Sequence, residues 1–503
     1  MNKIIITCIM LGVLLNGSIF IVNAKICRPF IYVDDDNIDG PWYGTIDYPY
    51  RFIQDGVDNA SSGDTVFVLS GTYDEFVWIG SISQQGPSIM LVGQDRDSTF
   101  ISGVVSIYYT NYTTVCGFTF PENDLDDYCV AGFSLKNSHN NRIKNNIIRD
   151  RINDFWSSGI YLTDGSSNNT ITKNSIIENN AAKGFYAIEL RDGSNNNVAS
   201  ENTITGNTGD LFGSIGINIR ESFHNVITAN IIKDNIGSYF GSGIELKWSC
   251  NNIISGNTLE NNAFSGIHIF AEEDDLHLWY NCYDNVISEN TIRGNLFGIY
   301  LFECLDNTIS DNDISNNNIG IILEGANKSI ISANAIINNN KGIEVKVVRD
   351  INYGTIYKFT EENIITENNI TDNNLWGIYV DDDVYKNYFY YNNFENNGGI
   401  IIGGNAKDKG YNTWDDGIEM GNFWDDYLGW DLNHDGIGDV PYNIPDGNNL
   451  DHFPLMGKYP GLINSLQSEI YSQLNYQSQL SNIQQYTISP NNHIKQGIKT
   501  MSR

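Results

Sequence analysis

Residues 305–323 read LDNTISDNDISNNNIGIIL, and this stretch states the repeat on which most of the chain is built. The repeat has the form Asn-x-Ile-x-x-Asn-x-Ile-x-x-Asn-x-x-Gly-Ile-x-Leu, with Asn307, Asn312 and Asn317 at its three asparagine positions. The first asparagine recurs, mostly 22 to 33 residues apart, at the following positions: Asn141, Asn169, Asn197, Asn225, Asn252, Asn285, Asn307 and Asn363. A repeat of this length indicates a stacked array of similar units.

The apolar residues of the repeat have the spacing of short strands. They come in pairs two residues apart or singly every five residues, which is not the spacing of an amphipathic helix. Short strands joined by Asn and Gly corners predict the coils of a parallel β-helix, because the Leu-x-x-Leu-x-Leu-x-x-Asn pattern of the rival solenoid is missing. Asn suits corners because it tolerates the left-handed backbone region. Stacked Asn side chains can also hydrogen-bond along a column. Parallel crossovers are nearly always right-handed, so we expect an all-β, right-handed solenoid.

The repeat and its flanks divide the chain into five segments. The first is a predicted secretory signal peptide, with Lys3, an apolar run and Ala24 at a small-residue cleavage site. An uncleaved anchor is the alternative, although the apolar run is short for a membrane span. The predicted segments are a signal peptide at 1–24, an N-terminal helical cap at 25–63, the β-helix at 64–404, an Asp- and Trp-rich C-terminal cap at 405–456 and a polar tail at 457–503.

The composition indicates an exported protein with an acidic surface. The chain has 61 acidic and 29 basic residues, for a formal net charge of -32. Nucleic acid and anionic lipid are therefore poor partners, whereas cations are favourable ones. No later stretch is apolar enough to span a membrane, so we expect a secreted or cell-surface protein, or one in a periplasm-like compartment. The sequence does not indicate an oligomeric state.

Four short motifs near the N-terminus carry a family resemblance. They are IYVDDDN at 31–37, IQDGVDNA at 53–60, GDTVFV at 63–68 and GTYDE at 71–75, and Asn-rich coils follow them. Together they resemble the secreted right-handed β-helix proteins of the NosD-like and CASH-domain group, which carry the PbH1 repeat and a pectate-lyase-like fold. The resemblance covers about residues 31–456. It implies carbohydrate binding, polysaccharide lyase or glycosidase activity, a structural surface role or a copper accessory role, and the fold alone does not choose among them.

One face of the predicted solenoid combines rings with charged groups. Longer coils place aromatic residues just before the Gly-Ile-x-Leu strand, and the outward positions of that strand mix carboxylates, bases and rings. Polysaccharides bind such surfaces, so we predict a glycan-binding face. Its predicted binding residues are Trp156, Tyr161, Glu189, Arg191, Arg220, Glu245, Lys247, His268 and Tyr300. In the alternative, the rings pack on one another and the charges form cross-strand pairs worth ~0.2–1 kcal/mol each.

A catalytic function on the same face is the competing interpretation. Glu189 and Glu245 are expected two coils apart, about 9–10 Å between Cα atoms, and inverting glycosidases hold their carboxyl groups ~6.5–9.5 Å apart. A lyase of this fold would pair calcium with a base such as Arg220. Copper needs His, Met and Cys ligands, and the closest His pair, His268 and His277, lies beside an acidic loop. We expect no organic cofactor.

Two further motifs predict a disulfide and a calcium site. Cys282 and Cys304 take equivalent places in adjacent coils, close enough to bridge, and a pair of free thiols is the alternative. DLNHDGIGD at 431–439 has oxygen ligands at positions one, three, five and nine and glycine at six, which resembles a calcium loop without its twelfth ligand. The predicted calcium ligands are Asp431, Asn433, Asp435 and Asp439. An Asp-Gly turn in the C-terminal cap is the alternative.

Overall fold

The computed structural model describes residues 30–81, 84–122, 130–237, 241–271, 282–350, 354–399 and 403–460. Within these ranges the chain winds into three long parallel sheets, and each full coil gives one strand to each sheet. The coil after Asn307 contributes Thr308–Ser310, Asp313–Ser315 and Ile319–Glu324 in turn. The parallel β-helix predicted from the repeat is therefore confirmed. The predicted signal peptide and nearly all of the predicted tail lie outside the described residues.

The strands of the three sheets have the following bounds. The first sheet comprises Phe30–Val33, Thr65–Val68, Met90–Gly93, Thr114–Cys116, Arg142–Lys144, Thr170–Thr172, Val198–Ser200, Val226–Thr228, Ile253–Ser255, Val286–Ser288, Thr308–Ser310, Ile330–Ser332, Ile364–Thr366, Tyr385–Tyr390 and Tyr411–Thr413. The second comprises Gly71–Tyr73, Thr99–Ile101, Thr119–Phe120, Ile147–Arg149, Ser175–Ile177, Thr203–Thr205, Ile231–Lys233, Thr258–Glu260, Thr291–Arg293, Asp313–Ser315, Ala335–Ile337, Asn369–Thr371, Asn393–Glu395 and Phe423–Trp424. The third comprises Val77–Ile79, Val105–Tyr108, Val130–Lys136, Trp156–Thr163, Gly184–Leu190, Ser214–Arg220, Ile244–Lys247, Ser265–Phe270, Phe297–Phe302, Ile319–Glu324, Lys341–Lys346, Trp376–Val380 and Gly404–Asp408.

Three smaller sheets complete the strands of the described ranges. The longer coils add a short parallel sheet made of Ile152–Asn153, Asn180–Ala181, Thr208–Gly209 and Ile236–Gly237. The other two are antiparallel pairs, Val348–Arg349 with Ile356–Lys358 and Tyr442–Asn443 with Leu450–Asp451. The short fourth sheet explains why the early coils are longer than the repeat at 305–323.

Columns of aliphatic side chains fill the solenoid. Ile309 pairs with the equivalent isoleucines of the coils before and after it, and all three are fully buried. The same stacking holds for Ile321 in the third sheet. Burying an Ile side chain contributes ~1.5–3 kcal/mol, so repetition of these columns supplies most of the driving force for folding.

Buried asparagine ladders connect the coils at their corners. The Asn312 side chain accepts hydrogen bonds from the backbone N–H and the side-chain amide of Asn290, each at 3.0 Å, and donates to Asn334 Oδ1 at 2.9 Å. Each amide therefore satisfies the backbone of the coil below it and bonds to the amide of the coil above. The predicted column of asparagine hydrogen bonds is confirmed.

The backbone of the corners differs from the prediction. The left-handed residue is the one before each ladder asparagine, as at Asp306, Asp311 and Asn316, whose φ angles are 50°, 57° and 57°. Asparagine recurs at the positions of Asn307 and Asn312 because its buried amide group bonds to the neighbouring coils. The expectation that the repeated asparagines themselves adopt the left-handed conformation is wrong, because their side chains must turn inward to bond the neighbouring coil.

The glycine that opens the third-sheet strand allows a close approach of backbones. A Cβ atom at Gly320 would lie 2.5 Å from the carbonyl oxygen of Gly342 in the next coil. A larger residue at this position would push adjacent coils apart. Glycine at this position therefore allows the close stacking of most coils, and Ala187 takes its place in one of them.

The parallel sheets extend beyond the predicted limits of 64–404. The first sheet already begins at Phe30–Val33, and helix Ile53–Asp58 lies against this first coil with Ile53 and Val57 buried. Glu75 accepts hydrogen bonds from the first backbone N–H groups of the helix, which its N-terminal dipole favours. At the other end, strand Phe423–Trp424 continues the second sheet after the sequence repeat has stopped.

Aromatic residues replace isoleucine in the last coils. Trp414 stacks on Phe389 with ring centroids 4.2 Å apart, and Trp424 stacks on Phe394 at 4.3 Å. Both indoles are buried, and each donates its N–H to a buried aspartate. In the Trp-rich segment, larger aromatic side chains thus continue the buried columns of the core.

Candidate functional site

The outer face of the third sheet carries the columns that the repeat predicts. Tyr161 pairs in register with Glu189, and the column continues through Asn218, Glu245, His268 and Tyr300. Six consecutive coils therefore each contribute one outward side chain at the same register position of the sheet. The structure brings the predicted residues of this column together.

Glu189 lies beneath the surface of this face. Its side chain is 8% exposed, its Oε2 atom accepts a hydrogen bond from the Ser158 hydroxyl at 2.5 Å, and its Oε1 atom lies 3.7 Å from the Arg191 guanidinium. Burial raises the pKa of this carboxyl above its ordinary value. Ser158 was missed from the sequence, although it lies three residues before Tyr161, the outward strand position of its own coil.

Glu245 is held by its two neighbours in the column. Its Oε1 atom accepts a hydrogen bond from the Asn218 amide at 3.2 Å, and His268 Nδ1 lies 3.8 Å from its Oε2 atom. One coil separates Glu245 from Glu189, so their Cα atoms are about 9–10 Å apart. Burial, and after it the negative charges of Glu245 and Glu189, raise the pKa of the nearby Tyr186 hydroxyl.

The aromatic loops before the strands pack on one another. The Trp156 ring stacks nearly parallel to two neighbouring rings, Tyr186 at 5.4 Å and Phe212 at 5.2 Å. Gly184 permits this arrangement, since a Cβ atom there would collide with the indole. Neighbouring rings therefore take up part of the Trp156 surface, and its stacking on a sugar stays a prediction. The outer rings, Phe212 and Phe155, are 42% and 51% exposed.

A second group of rings surrounds His268. The imidazole is stacked between Phe270 and Tyr300, with centroids 4.5 and 4.9 Å away. The Tyr300 hydroxyl donates to Glu324 at 2.6 Å, and burial raises the pKa of that hydroxyl. The predicted binding residues His268 and Tyr300 are thus joined to each other, and their faces are partly covered by neighbouring rings.

The second outward column is the accessible part of this face. Its bases pair with acids that occupy the corner after the strand: Arg191 Nε lies 3.1 Å from Asp192, and Arg220 Nε lies 3.3 Å from Glu221. The side chains of these four residues are 33–41% exposed. Lys136 and Asp164 form a third pair at 3.1 Å across adjacent coils. We call these three pairs the ion-pair row.

A tryptophan takes the corner position at the end of the row. The Arg220 guanidinium carbon lies 4.9 Å from the centroid of the Trp248 ring, and Lys247 Nζ lies 4.6 Å from it. Trp248 and the corner acids were missed from the sequence. The available signal was the residue directly after each basic position, which reads Asp192, Glu221 and Trp248 in successive coils.

An antiparallel pair covers a buried carboxylate in the later coils. In the pair formed by Val348–Arg349 and Ile356–Lys358, the Tyr357 hydroxyl donates to Glu303 at 2.7 Å, and Lys358 Nζ donates to the Glu303 carbonyl at 3.0 Å. The Glu303 carboxylate is buried beneath this hairpin.

The predicted calcium loop is folded as a series of turns. Asp431 accepts backbone N–H bonds from Asp435 and Gly436, at 3.3 and 2.9 Å, and Asp439 accepts one from Leu432 at 2.7 Å. Asn433 accepts one from Asp435 at 3.1 Å. Over the described ranges, no group of three or more His, Cys, Asp or Glu side chains is arranged to hold a metal ion. The calcium site stays a prediction from the sequence.

Cys282 and Cys304 are adjacent but unbridged. They are free thiols in neighbouring coils, within hydrogen-bonding reach of each other. The Cys282 thiol donates to the Phe270 carbonyl and the Cys304 thiol to the Ile269 carbonyl, both at 3.1 Å. Ser249 fills this position one coil earlier and donates to a carbonyl in the same way. The disulfide predicted from the sequence is thus not present in this structure, because both sulfur atoms are directed at backbone oxygens.

Two family models match consecutive parts of the chain. Residues 102–278 match a right-handed β-helix region, and residues 276–429 match the periplasmic copper-binding protein NosD. A probable ABC transporter binding protein NosD from Stutzerimonas stutzeri is 52% identical over 40 residues. That match spans 8% of this chain and 8% of the relative's length. Among the described residues, no helix has the length and hydropathy needed to cross a membrane.

Solved β-helix structures are similar at low sequence identity. The A-module of the mannuronan C-5 epimerase AlgE6 from Azotobacter vinelandii is 17% identical, with a TM-score of 0.36 over 72% of this chain and 93% of that one. The Dettilon tailspike protein is 12% identical, with a TM-score of 0.45 over 76% of this chain and 68% of that one.

Proposed function

We propose that this chain, a right-handed parallel β-helix protein similar in part to NosD, binds a polysaccharide along the outer face of its third sheet. The observation that carries the proposal is the ion-pair row with the half-buried Trp248 ring at its end. Its donors and acceptors are spread over four successive coils, which stack about 4.8 Å apart. A polysaccharide, which is a chain of repeated sugar units, can contact equivalent groups on successive coils of this face. The predicted signal peptide supports a secreted or cell-surface location for this function.

Removing ring surface without disturbing the core tests the proposal. The Tyr161→Ala/Phe212→Ala variant removes one half-buried and one exposed ring, and we expect binding to an immobilised polysaccharide panel to fall at least about tenfold, equivalent to ~1.4 kcal/mol. Tyr411→Ala, at an exposed ring on the first sheet, is the matched control and should bind as the parent does. Equal binding by the parent and the double variant, with both folded, would exclude this face.

Glycoside hydrolysis is a second candidate function for the same face. The observation that favours it is Glu189, whose burial raises its pKa as a general acid requires. Glu245, one coil beyond the intervening Asn218, would then activate water from a distance that suits inversion. Glu189→Gln should abolish release of reducing sugar while retaining binding. If the parent protein binds polysaccharides and releases no sugar from them, hydrolysis is excluded.

A further inference from the structure

We infer that the ligand is an uncharged polysaccharide and that the surface discriminates against polyuronates. This inference rests on the proposed function, because it specifies the ligand of the same face. The observation behind it is charge balance. The exposed bases of the face would suggest an anionic ligand if they were considered alone, but each one in the ion-pair row has a carboxylate of this chain as its partner.

Each of the three pairs in the ion-pair row joins one base to one acid, so each pair has no net charge. Lys136 Nζ lies 3.1 Å from Asp164, Arg191 Nε lies 3.1 Å from Asp192, and Arg220 Nε lies 3.3 Å from Glu221. The acid follows the second outward strand position directly in each of its coils, so the pairing is a property of the repeat. An incoming uronate carboxylate would therefore compete with a carboxylate of the chain that is already bonded to the same base.

The deeper carboxylates of the face are also engaged. Glu189 accepts from Ser158, and Glu245 accepts from Asn218. Glu324 accepts from Tyr300 and lies 2.8 Å from Lys346. The face therefore offers a polyanion little uncompensated positive charge, while the net charge of -32 on the whole chain repels it at longer range.

Sugar hydroxyls suit such a row better than charged groups do. A hydroxyl donates one hydrogen bond and accepts others, so it can accept from a guanidinium and donate to the paired carboxylate without separating the two. A guanidinium has five N–H donors, and the Nε atom of Arg191 already serves Asp192. Exposed rings such as Phe212 add apolar contact area for the faces of uncharged sugars.

The first experiment compares ligand charges on the parent protein. Affinity is measured by calorimetry against soluble uncharged glucan, mannan and galactan, against polygalacturonate and alginate, and against chitosan as a polycation. We expect an uncharged polymer to bind at least about tenfold more tightly than either polyuronate. Its affinity should change less than about twofold between ~50 and ~200 mM salt, because no charges of the ligand are neutralised.

The second experiment exposes the bases. The triple variant Asp164→Asn, Asp192→Asn and Glu221→Gln retains the shape of the corner residues and removes their charge, so it should gain at least about tenfold in affinity for polyuronates, with steep salt dependence. The matched control Glu201→Gln, Glu361→Gln and Glu362→Gln removes the same charge next to lysines on other faces and should gain much less. Thermal melting verifies that each variant is folded.

The outcomes separate the two proposals. Polyuronates or chitosan bound more tightly than uncharged chains by the parent protein would overturn this inference and leave polysaccharide binding standing. Uncharged chains bound, with no gain in the triple variant, would remove the ion-pair row as the contact surface. No binding to any polymer by the folded parent would refute the proposed function itself.

Discussion

Replacing the ladder residue Asn312 with alanine should destabilise the solenoid by several kcal/mol. The buried amide makes five hydrogen bonds: it accepts two from Asn290 and donates one each to Ile287, Ser310 and Asn334, at 2.9–3.0 Å. Alanine provides none of them.

The magnitude follows from the groups that lose their partner. The Asn290 backbone N–H and the Ile287 carbonyl lie in the buried corner between coils, and each loses the bond to Asn312. A buried polar group without a partner costs ~1–3 kcal/mol, so the two together predict a loss of about 2–6 kcal/mol. Because each coil contacts only its neighbours, the damage should centre on the coils at either side.

Urea denaturation followed by circular dichroism measures this effect. Asn318→Ala is the matched control, because this exposed asparagine lies in the same coil and its side chain accepts a single bond, from Asn340 at 3.2 Å. A surface change of this kind should alter the free energy of unfolding by less than ~0.5 kcal/mol. An unfolding midpoint for Asn312→Ala no lower than that for Asn318→Ala would refute the ladder as a source of stability.

Three further predictions concern the C-terminal coils, the thiols and the calcium loop. Burial raises the pKa of Asp451 from 3.8 to about 6, so the folded state binds the proton more tightly and the stability of the parent should fall by up to ~3 kcal/mol as pH rises from about 4 to 6. Asp451→Asn should lose this component in melts across that range, and an unchanged pH profile would contradict the assignment. Cys282 and Cys304 should remain unmodified by a thiol reagent in the native protein, because both are buried and burial raises the pKa of the Cys304 thiol. Peptide mapping of the exported protein without reductant should find both as free thiols. A Cys282–Cys304 cross-link in that map would show the disulfide expected from the sequence instead. If the 431–439 loop binds calcium as predicted from the sequence, EDTA should lower the melting temperature of the parent and leave Asp431→Ala unaffected, whereas an unmoved midpoint would argue against a structural ion.

The fold could be predicted from the sequence because one local pattern specifies both strand and stacking. The Ile spacing gives the inward side, and the recurrence of Asn307 and its equivalents from coil to coil gives the register. Knowing the register was enough to place Tyr161, Glu189 and Tyr300 in one column. The pattern ends at the last coils, where Trp414 and Trp424 fill the positions of isoleucine, so the sequence repeat underestimates the length of the sheets.

The character of the surface could not be predicted from the same pattern. Register shows that Trp156 lies near the outward column, but the path of its loop decides that Tyr186 and Phe212 stack on its ring. Likewise, the sequence places Arg191 on the outside without showing that Asp192 turns back to pair with it. Side-chain pairing depends on corner geometry, which the spacing of apolar residues does not encode.

A crystal structure of the protein with a bound uncharged oligosaccharide, at a concentration that saturates binding in solution, tests the central claim most directly. We expect sugar rings across the ion-pair row, with hydroxyls within hydrogen-bonding distance of Arg191 and Arg220 and with a ring near Trp248. Sugar bound to the first or second sheet, with the third-sheet face bare, would contradict it.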